Sequence, residues 1–240
     1  MRVKAVISYD GSAFFGFQRQ TSTKETVTSA LEQALRSLKI DSEITGSGRT
    51  DRGVHASGQV IHFDLPPYWS DLERLRLNLN RKLQAIAIKH IAKVDDHFHA
   101  RFSAKKRLYR YIFRTHPPTV FERNYISYYQ PFDARVLQEA LDCFIGEHDF
   151  RYFHKTGSDT HTTVRRIYRA KYREKNNCHF IYFEANGFLR SQVRMMIESA
   201  MACARGTMKI SQLKEQLAGV KKYNHRLAPP EGLYLAKIFY

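Results

Sequence analysis

Along the first hundred residues the apolar positions switch between two periods, and each switch marks an element. Residues 3–9 alternate as a strand does. Val27, Ala30, Leu31, Ala34, Leu35 and Leu38 then recur at helical spacing behind Ser22-x-x-Glu25, which reads as a capping box. A short strand is predicted around 43–45, and a longer one over 59–65, where Ile61, Phe63 and Leu65 alternate with Val60, His62 and Asp64. Ser70-x-x-Glu73 opens a second helix carrying Leu72, Leu75, Leu79 and Leu83, and residues 85–94 return as a strand. The resulting order is βαββαβ, the split, ferredoxin-like arrangement.

Asp95-Asp-His-Phe-His-Ala-Arg-Phe-Ser103 is the expected passage to a second half, which divides the chain into 1–103 and 104–240. His97 and His99, expected on one strand face, have a chelating spacing, but no sulfur or carboxylate converges on them in sequence; packing or hydrogen bonding is expected instead. On the strand ending at Arg114, Arg107, Tyr109, Tyr111 and Phe113 share one face and Leu108, Arg110, Ile112 and Arg114 the other. Aromatic strand faces usually belong to a core, so Tyr111 and Phe113 are assigned to packing.

Pro117-Pro118 breaks the strand, and helical spacing over 134–145 runs to Gly146. His148 and Asp149 follow at the helix exit with no nucleophile nearby, where loop anchoring is expected. The polar loop 155–161 is expected to be mobile. A hairpin then joins 163–173 to 179–184, a helix passes through Leu189, Val193, Met196, Ile197, Ala200 and Met201 to Gly206, and a short helix at 212–217 precedes a final strand. The second half thus reads βαββα(α)β, and the chain as α+β.

Composition narrows the function classes. Lysine and arginine outnumber acids 39 to 23, a formal charge of +16 over 240 residues, which points to a polyanionic partner: RNA, DNA or an anionic membrane. No apolar run approaches the roughly 20 residues of a spanning helix. The start of the chain reads as a strand and has no signal-peptide layout, so a cytoplasmic location and no membrane partner are expected. Cys143, Cys178 and Cys203 are widely separated, which indicates neither a disulfide framework nor a zinc site, and no metal is expected. Within the basic hairpin, Arg165 and Arg169 are expected phosphate contacts, although a run of charge is more often only a solvated face. The loop 10–20, with three phenylalanines and two glutamines, suits either base stacking or a hydrophobic plug under the sheet.

The densest chemistry lies in Gly46-Ser-Gly-Arg-Thr-Asp51-Arg-Gly-Val-His55-Ala-Ser-Gly-Gln-Val60. One carboxylate, Asp51, sits between Arg49 and Arg52 on a loop held by strands at both ends. Glycines let the backbone approach a ligand closely, and flanking positive charge suits a carboxylate acting as nucleophile or base. Asp-Arg-Gly alone would be ordinary turn chemistry. The third glycine of a dinucleotide fingerprint is missing and no Gly-Lys-Ser/Thr follows, so no nucleotide cofactor is indicated.

The whole string resembles the Gly-Arg-Thr-Asp-x-Gly-Val-His-Ala signature of the tRNA pseudouridine synthase A (TruA) family, whose aspartate is essential. Further segments resemble that family in the same order: Tyr9-Asp-Gly to Phe17-Gln, with Phe17 where tryptophan is usual; Phe98-His-Ala-Arg-Phe-Ser to Tyr109-Arg-Tyr111; Gly146-Glu-His-Asp-Phe150; Phe188-Leu to Val193-Arg194; and the proline-glycine stretch before Leu233. Two departures fall on one helix, where Arg190-Ser191-Gln192 replaces Tyr-His-Met and Glu198 stands where glycine is usual.

The resemblance implies a pseudouridine synthase fold of two ferredoxin-like halves with sheets joined around a basic cleft. It implies isomerisation of uridine to pseudouridine in the tRNA anticodon stem-loop, positions 38 to 40, by a homodimer with tRNA as partner and no cofactor. Asp51 is carried over as the catalytic aspartate, Tyr109 as the active-site tyrosine, Arg194 as the arginine that pairs with the aspartate, and Leu233 as a residue packing on the substrate base. Arg49, a planar cation, is expected to take the place vacated by the target base. The competing readings are a non-catalytic RNA-binding protein and a tRNA methyltransferase. The first leaves a carboxylate in a basic loop unexplained, because an acid repels phosphate; the missing glycine fingerprint counts against the second.

Overall fold

In the computed structural model, which describes residues 1–157 and 161–240, the chain forms two compact units, Met1–Lys105 with Tyr234–Tyr240 and Lys106–Leu233. Residues 158–160, in the loop expected to be mobile, lie outside the described residues. The first unit contains β1 (Arg2–Tyr9), α1 (Val27–Ser37), β2 (Thr45–Gly46), β3 (His55–Asp64), α2 (Leu72–Lys82) and β4 (Ile86–Lys93). Its strands are ordered β4, β1, β3, with β2 on the outer side of β3, and every one of these pairings is antiparallel. This is the ferredoxin-like order that the βαββαβ pattern predicts.

The helix starts differ from the expected capping boxes. Thr26, not Ser22, caps α1 by accepting from the Ser29 N–H, and Asp71, not Ser70, caps α2 by accepting from the Arg74 N–H. Ser22 lies too early because the backbone ahead of α1 is bonded elsewhere: the Phe15 N–H donates to Glu25 O and the Val27 N–H to Gly16 O. A stripe of Val27, Leu31, Ala34 and Leu35 is buried. β3 begins at His55, earlier than expected, and is buried on both faces over most of its length, which obscures the alternation. His97 and His99 lie in a turn after β4 and not on a strand, with the His97 N–H on Asp95 Oδ1 and the His99 N–H on Ser103 Oγ.

The second unit contains β5 (Lys106–Arg114), β6 (Ser127–Tyr128), α3 (Ala134–Asp142), β7 (Gly146–Asp149), β8 (Val164–Lys175), β9 (Cys178–Ala185), α4 (Gln192–Ala204) and α5 (Ile210–Leu217). Its strands are ordered β5, β9, β8, β7, all antiparallel, with β6 parallel to β5. Alternation along β5 buries Tyr109, Tyr111 and Phe113 as one face. α3 stops short of the expected end, and Gly146, at φ +112°, turns the chain into β7, so His148 and Asp149 lie on a strand. Asp149 does anchor its surroundings, accepting from Thr163 Oγ1 at 2.6 Å and from Arg151 Nε at 2.8 Å. Asn176 and Asn177, both at positive φ, make the tight turn between β8 and β9.

The last strand, β10 (Leu233–Phe239), returns to the first unit, where Tyr234 and Leu235 pair in parallel with His55 and Ala56. The division at residue 103 therefore differs from the compact units, because the C-terminal strand belongs with the first. Contact along β3 is so close that a Cβ on Gly58 would sit 2.2 Å from the Ala236 carbonyl oxygen, whereas one on Gly48 would meet nothing within 4 Å. Gly58→Ala is expected to lower the urea-unfolding stability by about 1–3 kcal/mol, since backbone cannot step aside as a side chain can. Gly48→Ala should stay within about 0.5 kcal/mol of the native protein. Equal midpoints for the two variants would contradict this packing of β10.

Candidate active site

The loop between β2 and β3 carries Arg49 and Asp51, and its backbone is held from three sides within the first unit. From inside β3, the fully buried Gln59 accepts at Oε1 from Ser47 Oγ (2.6 Å) and donates from Nε2 to Gly48 O (2.7 Å). From the loop after β1, the Phe17 N–H donates to Thr50 O at 3.1 Å, and from the end of β1 the Tyr9 hydroxyl lies 2.8 Å from Thr50 Oγ1. Within the loop, the Val54 N–H closes a turn on Asp51 O at 3.1 Å, with Gly53 at φ +77°. Burial pushes the Tyr9 phenol up, so that hydroxyl serves as a neutral hydrogen-bonding group.

Glycine is required where the two loops touch. A Cβ on Gly11 would come within 2.2 Å of Val54 O, and one on Gly16, at φ +113°, within 3.2 Å of Thr50 O. Next to this contact, His55 Nδ1 accepts from the Gly11 N–H at 2.9 Å, and its ring stacks on Tyr234 at 4.7 Å and 18°. The loop 10–20 divides the two roles considered for it: Phe17 is a buried plug, while Phe15 is exposed and lies 4.1 Å beneath the Arg52 guanidinium. Asp51 is half-buried and Arg49 exposed, so a carboxylate and a cation are presented on a backbone that has little freedom.

The remaining residues singled out by sequence lie on the second unit. Tyr109, opposite Phe183 on β9, is 8% exposed and meets Phe188 edge-on at 5.2 Å. Arg194, in the first turn of α4, is half-buried; its Nε donates to Ala228 O at 2.7 Å while its own carbonyl accepts from the Ala228 N–H at 3.0 Å. Leu233 is buried, with its N–H on Pro230 O. Arg165 is half-buried and turns Nη1 toward Thr162 O and Val164 O, whereas Arg169 is exposed on β8. Sequence reasoning missed Gln59, His55 and Ala228 as supports; a glutamine inside an apolar strand was the one visible signal. Among the described residues no group of three histidine, cysteine or acidic side chains is placed to hold a metal ion.

Comparison with known proteins identifies the family. A family model described as tRNA pseudouridine synthase matches residues 5–103 and 140–240, which includes both the Asp51 loop and α4. Among curated proteins, tRNA pseudouridine synthase A of Campylobacter jejuni is 42% identical, with all of each chain covered. Its counterpart from Wolinella succinogenes is 38% identical over 98% of this chain and 92% of its own. That from Lactococcus lactis is 40% identical over 100% and 97%. A family model over most of the chain and full-length relatives at about 40% identity show the lineage: the chain belongs to the tRNA pseudouridine synthase family.

Proposed function

We propose that the enzyme isomerises uridine to pseudouridine at positions 38 to 40 of the tRNA anticodon stem-loop, with Asp51 as its catalytic carboxylate. The observation that carries this reading is the clamped loop, in which Gln59 and the Phe17 segment hold the backbone that bears a half-buried carboxylate. The reaction breaks the N1–C1′ bond, turns the uracil, joins C5 to C1′, releases the C5 proton and protonates N1. One carboxylate serves the sugar, attacking C1′ and being displaced by C5 or removing the C2′ proton and returning it, and a second group takes the C5 proton after the uracil has turned.

A target base inside a stem must leave its stack before this chemistry, and exposed Arg49 is suited to fill the gap with its planar cation. Tyr109 takes the role of acceptor for the C5 proton, Arg194 that of cationic partner of the aspartate, and Leu233 that of apolar support for the uracil, each on the resemblance of its motif. Arg165 and Arg169 add phosphate contacts that fix register without reading sequence, in keeping with the charge of +16. A cytoplasmic homodimer completes the reading. Among the described residues no helix is long and apolar enough to cross a membrane.

Unmodified tRNA tritiated at uracil C5 tests the reaction, since isomerisation must free that label. Release is expected with no added cofactor and in the presence of chelator; no release from a full set of tRNAs would leave an RNA-binding protein. Tyr109→Phe separates the hydroxyl from the ring. It should bind tRNA as the native enzyme does and turn over slower by roughly a hundredfold, as loss of a general acid–base group implies. Native turnover in this variant would remove the hydroxyl from the mechanism.

A further inference from the structure

The family motifs leave unused a cluster of largely buried polar side chains in the second unit that begins at Glu198. This carboxylate lies one turn after Arg194 on α4 and is 8% exposed. A buried charge is costly unless it is paired and hydrogen-bonded. Glu198 Oε2 accepts from the Tyr129 hydroxyl at 2.7 Å, and Oε1 lies 3.4 Å from Arg205 Nη2. The Arg205 pairing is partial, with Nε buried and without a hydrogen-bond partner, so the short bond from Tyr129 is the firmer hold.

From Tyr129 the cluster continues. The Tyr129 ring packs against that of the fully buried Tyr111, with centroids 6.3 Å apart, and the Tyr111 hydroxyl lies 2.8 Å from Ser127 Oγ and 3.2 Å from Pro229 O. Ser127 Oγ in turn donates to Glu231 Oε1 at 3.1 Å. Burial raises both phenols, so both remain protonated donors beside the carboxylates. The far end of the cluster is the segment 228–233, which brackets Arg194 through Ala228 and ends at Leu233. That segment is seated tightly, with Gly232 O accepting from the Ile112 N–H at 2.8 Å and a Cβ on Gly232 falling 2.5 Å from Ile112 O.

We propose that Glu198 is a positioning residue for the isomerisation. Through Tyr129, Tyr111 and Ser127 it fixes the 228–233 segment, and with it the guanidinium of Arg194 and the side chain of Leu233. Glu198 and Arg194 share a helix face at i, i+4, so α4 carries the functional arginine and the anchor of the segment that orients it. This rests on the isomerase reading above. It adds a function for a residue that departs from the family's usual glycine.

The test measures kcat, KM for tRNA and backbone hydrogen exchange on the full-length enzyme, well below its melting temperature. Glu198→Ala should lower kcat by roughly 10- to 100-fold, the scale of a misplaced functional group, with KM little changed. Glu198→Gln retains an acceptor for Tyr129 and should recover most of the rate. Tyr129→Phe, which removes one hydroxyl with little change of volume, should lower kcat as the alanine variant does. In an Arg194→Ala background the Tyr129→Phe change should cost less kcat than it does in the native enzyme, because only the Leu233 part of its effect is left, whereas a merely structural loss would add in full. Both Glu198→Ala and Tyr129→Phe should speed exchange of the Ala228 and Leu233 amides, a readout independent of activity. Native kcat in Tyr129→Phe, additive losses with Arg194→Ala, or unchanged exchange would overturn the proposal. Absence of isomerisation by the native enzyme would instead overturn the isomerase reading and leave the exchange arm to judge the network.

Discussion

Contact between two stretches of main chain, 11–17 and 50–54, is the constraint on which the Asp51 loop depends. A hydrogen bond from Phe17 N–H to Thr50 O and the clearances at Gly11 and Gly16 leave no room for side chains between them. Side chains relax when crowded, but two apposed backbones do not, so a loop held this way keeps the backbone that bears Asp51 in one place. Gln59 completes the hold from inside β3, where its amide satisfies Ser47, Gly48 and the Val60 N–H at once. The cost is a buried amide that must be fully bonded; the return is a polar group whose position is fixed.

The second unit uses a different device for the same end. Arg194 is seated by reciprocal bonds with Ala228, and the segment that supplies Ala228 is tied to the sheet through Tyr111, Ser127 and Ile112. Where the Asp51 loop is held by apposed backbones, this segment adds the buried hydroxyls of Tyr111 and Ser127 to its backbone contact with Ile112. Glu198 lies at the other end of that polar cluster, and Tyr129 and Arg205 are the partners that make a buried carboxylate tolerable there.

Periodicity made the architecture legible because the first unit's alternations and helical stripes each bury one face. It failed where tertiary bonds decide. Ser22 and Thr26 are equivalent caps by composition, and only the bonds from Phe15 and Val27 to the neighbouring backbone select Thr26. The start of β3 was hidden because His55, Ala56 and Gly58 are small or polar residues that become buried when β10 and Gly11 approach. Asp51, Tyr109 and Arg194 stood out through their motifs. His55 and Gln59, which support the loop, have partners far away in sequence, and Glu198 could be seen only as a departure until Tyr129 was placed against it.

Replacement of one atom tests the central claim that the clamped loop exists to present the Asp51 carboxylate. Asp51→Asn keeps the shape of the side chain, so the variant should melt with the native enzyme and bind tRNA as tightly or more tightly, a negative charge having been removed near phosphate. Its tRNA product should contain no pseudouridine at positions 38 to 40 under conditions where the native enzyme converts them fully. Substantial pseudouridine formed by Asp51→Asn would contradict the account.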